Sequence, residues 1–243
     1  MAGVVAGVDG ARLGGQPGWA MVGLRGGALA STAFHASFRD VLAEAEAAGA
    51  EVIAVDIPIG HEDPDGKRNG GRRACDLAAR AWLGPRRASV FLVPPLDVLS
   101  SPTYAQARAL ARGRGVLAPS AQVWGLRAAI AEVGVCARAD GPVREVHPEA
   151  AFQAMLQQRA PGAHLARAKR TLEGLNERLA LLHAEGLRPA RSTGGGGRLS
   201  PDDVLDATAA AWSAARIAEG RALTFPAEPP RDPRTGRPVA IWR

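Results

Sequence analysis

The chain has 243 residues, of which 47% are hydrophobic and 22% charged, a globular balance that can support a packed core over one large domain or one domain with insertions. Its net charge of +6 favours polyanionic partners such as nucleic acid, although arginine-rich composition makes proteins of every function basic. Two cysteines, neither in a C-x-x-C pair, argue against a secreted disulfide framework. The start MAGVVAGV lacks a signal peptide's charged region and apolar run, and no apolar stretch reaches membrane-spanning length, so a cytoplasmic protein without membrane contact is expected.

In chain order, Val4 to Val8 reads as a buried strand ending at Asp9-Gly10, and Gly10 to Gly18 reads as a loop. Trp19 to Leu24 and Ala28 to Phe34 read as strands joined by a tight turn at Gly26-Gly27, which makes an antiparallel meander. A helix over Phe38 to Ala48 stops at Gly49, and a fourth strand, Val52 to Val55, ends in Asp56-Ile57-Pro58-Ile59-Gly60. A strand placed after a helix after a meander predicts a mixed α/β sheet in which 52–55 runs parallel to 4–8. Helices follow over Arg73 to Leu83, Thr103 to Arg112, Ser120 to Val133 and Thr171 to Glu185, with a short strand at Val143 to His147. Ser192 to Arg198 reads as flexible, and its glycines lack the strand before and the Gly-Lys-Ser/Thr ending of a phosphate loop. Ser200-Pro201-Asp202-Asp203 opens a last long helix with an N-cap serine, proline at the first position and acids in the first turn. Val239 to Trp242 is a candidate final strand. The organisation expected is one domain over 1–243 with a mainly helical insertion at about 61–140.

The acids carry the chemistry. Asp9 and Asp56 each follow a strand, and if those strands are parallel neighbours both carboxylates emerge at the sheet edge where α/β proteins bind ligands. Asp203 and Asp206 are three apart on the last helix and share a face; Asp202 and Asp206, four apart, fit equally well by spacing. The small residues from Ala207 to Ala215 let that helix lie close to the sheet and bring its first turn to Asp9 and Asp56. Clustered carboxylates favour a hard divalent cation, Mg²⁺ or Mn²⁺, and four of them suit two ions about 4 Å apart for in-line phosphodiester hydrolysis. Singly, an Asp-Gly is usually a turn and a first-turn acid a cap.

Longer motifs add a resemblance. V-D-G at 8–10, D-I-P-I-G at 56–60, R-x-C-D-x-x-A-R at 73–80, L-G-x-R at 83–86, S-V-F at 89–91, E-V-H-P-E at 145–149, Lys169-x-Thr171 and D-D-V-L-D-A at 202–207 run over nearly the whole chain. Together they resemble a family of bacterial and archaeal proteins predicted to be ribonuclease-H-like nucleases. The resemblance implies a ribonuclease-H-like mixed sheet with helices on both faces and an acidic metal site. The D-x-x-D-A element looks like the final-helix motif of Holliday-junction resolvases, which favours Asp203 and Asp206 over Asp202. The segment ARLGGQPG after V-D-G is longer than is usual in that family.

The expectation is therefore a metal-dependent nuclease or phosphodiesterase, with Asp9, Asp56 and Asp206 as metal ligands and Asp203 or Glu145 completing the catalytic set. His147 and Glu149 are further candidates as ligands or general base. Arg73, Arg80, Arg86 and Lys169 are candidate phosphate contacts, against the plainer reading of an Arg73–Asp76 helix pair on a solvated basic face. The rivals are a non-catalytic binding or scaffold protein of the same fold and an actin-like or sugar-kinase-like ATP-binding protein. The last normally needs two such domains and a longer chain.

Overall fold

The computed structural model describes residues 3–66, 68–193 and 197–243. Its elements are β1 (Val4–Leu13), β2 (Gln16–Arg25), β3 (Ala28–His35), α1 (Phe38–Ala47), β4 (Ala50–Val55), α2 (Ala74–Leu83), a 3₁₀ segment (Gly84–Ser89), α3 (Leu96–Leu99), α4 (Tyr104–Arg114), α5 (Ala121–Cys136), β5 (Val143–Glu145), α6 (Pro148–Arg159), α7 (Leu172–Ala184), α8 (Pro201–Ala218), β6 (Thr224–Phe225) and β7 (Ile241–Trp242). Among the described residues no helix is long and apolar enough to cross a membrane.

The chain divides into two compact units. The first takes the residues up to Ile57, Pro142–Leu223 and Trp242–Arg243; the second takes Pro58–Gly141 and Thr224–Ile241. The second unit covers the stretch 61–140 with its first segment, Pro58–Gly141. It also includes a late segment, Thr224–Ile241, that no local pattern attaches to it.

The first unit is built on a mixed five-stranded sheet in the order β3-β2-β1-β4-β5. β1–β2 and β2–β3 pair antiparallel and β1–β4 pairs parallel, as the order of strands and helices along the chain predicts, and β4–β5 is parallel as well. Side chains alternate across a strand, so β1 has two distinct faces. One carries Val5, Gly7 and Asp9; the other carries Ala6, Val8 and Gly10. Trp19 is the cross-strand partner of Gly10 and meets Phe38 of α1 edge-on, with ring centroids 5.3 Å apart. Helix α1 therefore covers the Val8 face. Helix α8 covers the other: an added Cβ on Gly7 would fall 1.9 Å from the backbone nitrogen of Ala211 and 2.3 Å from the carbonyl oxygen of Ala207. With both faces covered, Val5, Ala6 and Val8 are all buried, which explains the near-continuous apolar run of this central strand.

The segment Gly10 to Gly18 is not a loop. β1 continues to Leu13 and β2 starts at Gln16, so the turn is Gly14-Gly15 alone, with φ of 57° and 85°. Two consecutive positive φ values are what a two-residue type I′ hairpin requires. Asp9 consequently lies within β1, opposite Ala20, at the point where its parallel neighbour β4 ends.

Helix α6 carries no periodic signal because Pro148 through Met155 are all buried, leaving no polar face to mark it. In the second unit, Arg73 and Asp76 form a buried ion pair at 2.5 Å, and Val98, Ala107 and Ala111 make a small core with Trp124 packed against it. The rings of Trp82 and Phe225 lie 5.3 Å apart, which ties the late segment to α2.

Candidate metal centre of the first unit

The site starts from strand register. Val8 is paired with Val55, and the Asp56 N–H donates to the Val8 carbonyl at 3.0 Å, so the parallel pattern continues one residue past β4. Asp9 and Asp56 are then neighbours on adjacent strands, on the face that α8 covers. α8 begins where the sequence signals it: Ser200 caps it, accepting from the Asp203 N–H at 3.3 Å, and Ser200 Oγ donates to Asp202 Oδ1 at 2.6 Å. This cap sets the first turn and hence Asp203. Ser200→Ala should cost about 1 kcal/mol of stability in urea unfolding; an unchanged midpoint would mean that tertiary packing alone sets the helix start.

The close approach at Gly7 seats α8 so that Asp206, 3% exposed, joins Asp9 and Asp56, which are half-buried. Lys169 completes the group. Its Nζ lies 2.5 Å from Asp206 Oδ2, and its ammonium also acts on Asp9 and Asp56. Asp203 stands at the rim, half-buried, with its carboxylate accepting from the Arg12 backbone N–H. Among the described residues, the oxygens of Asp9, Asp56 and Asp206 do not close as a set of three to within 4.8 Å of one another.

The segment carrying Lys169 has no regular structure, yet it is tied at several points. Buried Gln153 of α6 accepts from the Leu165 N–H at 3.0 Å, and its amide nitrogen donates to the Ala163 carbonyl at 3.3 Å. Arg178 of α7, 1% exposed, donates to the Arg167 carbonyl at 3.3 Å while its guanidinium grips Glu149 of α6 at 2.7 Å. Thr171 caps α7, accepting from the Gly174 N–H at 3.1 Å. An added Cβ on Gly174 would sit 1.9 Å from the Ala168 oxygen, so only glycine lets the helix touch the backbone next to Lys169.

The electrostatics follow from this crowding. Burial, then the charges of Asp206 and Asp56, hold the Asp9 carboxyl well above the ordinary carboxylate range, against the pull of Lys169. Burial also raises Asp56, although His147 and Lys169 both favour its ionised form. Asp206 is pushed up to about 6 by burial, with Asp56 and Glu149 adding to the shift, despite its bond to Lys169. Burial opposes the charge of Lys169, but the three carboxylates outweigh it and raise its pKa. One resident cation leaves this group of acids short of positive charge.

A family model described as "Protein of unknown function (DUF429)" matches residues 7–231, a span that includes every one of these side chains. The chain belongs to the DUF429 family. No curated protein and no solved structure matches it.

In this DUF429 chain the other candidate residues are held by contacts of their own, lie on the other face of the sheet or belong to the second unit. Glu145 is the register partner of Val55, and alternation sets it on the Val8 face of the sheet, opposite Asp9 and Asp56. Glu149 is engaged bidentately by Arg178. Arg73, Arg80 and Arg86 all belong to the second unit: Arg73 is buried against Asp76, Arg80 donates to the Val90 carbonyl at 2.6 Å, and Arg86 lies in the 3₁₀ segment. Gly194 to Gly196, within the stretch expected to be flexible, fall outside the described residues. Gly7, Gly174 and Arg178 are the positioning residues that sequence reasoning missed. A lone glycine inside a strand or helix does signal close backbone approach, and that was the available clue for the first two.

Proposed function

We propose that this protein is a metal-dependent hydrolase of nucleic-acid phosphodiesters whose first unit is ribonuclease-H-like. The carrying observation is that Asp9, Asp56 and Asp206, from β1, the end of β4 and α8, lie on one face of the sheet and are all held above their ordinary pKa, although their oxygens do not close to within 4.8 Å as a set. The antiparallel meander, the helix and the parallel strands, in the order β3-β2-β1-β4-β5, support the fold assignment. The net charge of +6 suits a polyanionic substrate.

The donor set fits the ion class. Carboxylate oxygens are the hard ligands that Mg²⁺ and Mn²⁺ select, and Lys169, 39% exposed at its side chain, shows that the group opens to solvent. Asp9, Asp56 and Asp206 would hold the ion, with Asp203 at the rim. When bound, such an ion lowers the pKa of a water and offsets charge on a phosphate. The chain's own residues orient the site: Lys169 fixes the Asp206 carboxylate, and the Asp56–Val8 backbone bond fixes the spacing of Asp56 from Asp9. The Lys169–Asp206 pair also supports a second reading, a binding protein of the same fold that has replaced its metal with an internal cation.

Metal titration across pH separates the two. Asp206, at about 6 in the folded chain against an ordinary 3.8, binds its proton more tightly when folded. Its ionisation therefore weakens the metal-free fold as pH rises from about 4 to 6, and the full penalty persists above that. His61, buried in the second unit with its pKa lowered mainly by burial, has the opposite slope, losing stability as pH falls through the ordinary histidine range. The informative quantity is therefore the melting temperature in Mg²⁺ minus that in chelator at each pH, in which the His61 contribution cancels. This difference should grow from pH 5 to pH 8 as protons stop competing for the ligands. A difference near zero at every pH, with no metal-dependent cleavage of single- or double-stranded DNA or RNA, would favour the binding-protein reading.

A further inference from the structure

We infer that Lys169 is the resident counter-cation of the acid group and restricts it to a single divalent ion; this rests on the metal-site reading above. Four acids at one site suggest two ions by residue count alone. The structure adds a fixed positive charge that residue count does not weigh. Asp203, at the rim, is already served by the Ser200 hydroxyl and the Arg12 N–H; of the acids that would hold the ion, Asp9, Asp56 and Asp206 carry three negative charges when ionised and Lys169 cancels one. The two that remain match one Mg²⁺ or Mn²⁺, whereas a second divalent ion would put excess positive charge beside the Lys169 ammonium.

Three observations make Lys169 a built part of the site rather than a surface lysine that drifted inward. Its Nζ is 2.5 Å from Asp206 Oδ2, so one carboxylate oxygen of the group is already taken by a cation. Its charge favours the ionised forms of Asp9 and Asp56 as well as that of Asp206. The backbone that carries it is tied to α6 through Gln153 and to α7 through Arg178, and the Gly174–Ala168 approach leaves no room for a larger residue at 174. Arg178 is itself anchored by Glu149, so the carboxylate in E-V-H-P-E acts through this chain of contacts as a positioning residue for Lys169.

The test counts ions without substrate. Isothermal titration of the purified full chain with Mn²⁺, cross-checked by electron paramagnetic resonance of free Mn²⁺, should give one ion per chain for wild type and for Lys169→Arg. Lys169→Met should take two. Two ions on wild type, or one on Lys169→Met, would overturn the single-ion inference. A parallel measurement needs no metal. In chelator, Lys169→Met should melt at least about 5 °C below wild type, because it leaves buried carboxylates without their partner, and adding Asp206→Asn to it should recover part of that loss. If Lys169→Met melts with wild type in chelator, the counter-cation role is wrong. If wild type binds no Mn²⁺ while the chelator results hold, the metal-site reading fails and takes the single-ion count with it, leaving Lys169 as a structural counter-cation.

Discussion

Gly7→Ala should lower the melting temperature by about 10 °C or more, a large loss for a single methyl group. The reason is the identity of the atoms in the way. The new Cβ meets the backbone nitrogen of Ala211 at 1.9 Å and the carbonyl oxygen of Ala207 at 2.3 Å. Neither can rotate aside as a side chain would. Relief requires α8 to move away from β1 as a body, yet Val204 through Ala214 are all buried in its present seat. Overpacking a core typically costs about 1–3 kcal/mol even when side chains can yield. A backbone clash should cost at least about 3 kcal/mol, a large part of a typical total of roughly 5–15 kcal/mol. In a chain of this size that corresponds to about 10 °C. The same displacement carries Asp206 away from Asp9, so any metal-induced stabilisation should fall with it. Gly10→Ala is the control, on the same strand but with nothing within 4 Å of the added atom; it should stay within about 1 kcal/mol of wild type. Equal melting of Gly7→Ala and wild type would show that α8 does not sit on β1 as described.

Asp9→Asn should reduce metal-dependent cleavage of nucleic acid by at least about 100-fold, since even residues that only orient metal ligands are worth about 10–100-fold. In chelator the same substitution should leave the fold intact and raise its stability. Asp9 is the carboxylate whose ionisation is opposed by burial and by both Asp206 and Asp56. An uncharged amide of the same shape removes that repulsion, at roughly 1 kcal/mol per close pair even with water-like screening. One substitution thus moves two observables in opposite directions, lower activity and metal response but higher metal-free stability, a pattern that general misfolding does not produce. Wild-type cleavage by Asp9→Asn would remove it from the catalytic set. Lower stability in chelator would mean that the Asp9 charge is held by favourable contacts rather than opposed.

Local chemistry was enough to determine several features of this protein. The apolar run Val4 to Val8, the Gly26-Gly27 turn and the helix before Val52 to Val55 marked a meander followed by a parallel strand, because the hydrogen-bonding direction of consecutive strands follows from what connects them. Ser200, Pro201 and the first-turn acids marked the start of α8, since capping is a property of a few adjacent residues. The small residues of α8 implied that it could approach the sheet, and Gly7 on β1 is the complementary feature. Pairing Asp9 with Asp56 and Asp206 followed from those three inferences together. Only the tertiary structure decided what depends on groups far apart in the chain. Strand alternation across the β4–β5 register placed Glu145 on the opposite face from Asp9, and a register is set by packing rather than by residue type. The attachment of Thr224–Ile241 to the second unit rests on contacts such as Trp82 with Phe225, more than a hundred residues apart. Lys169 reads in sequence as a candidate phosphate contact or a solvent-facing lysine and not as a partner of the acids, because Asp206 lies thirty-seven residues away and the ties that hold it come from α6 and α7. Its charge belongs to the site because desolvated carboxylates favour a fixed cation over solvent, a preference that arises only once the chain has brought them together.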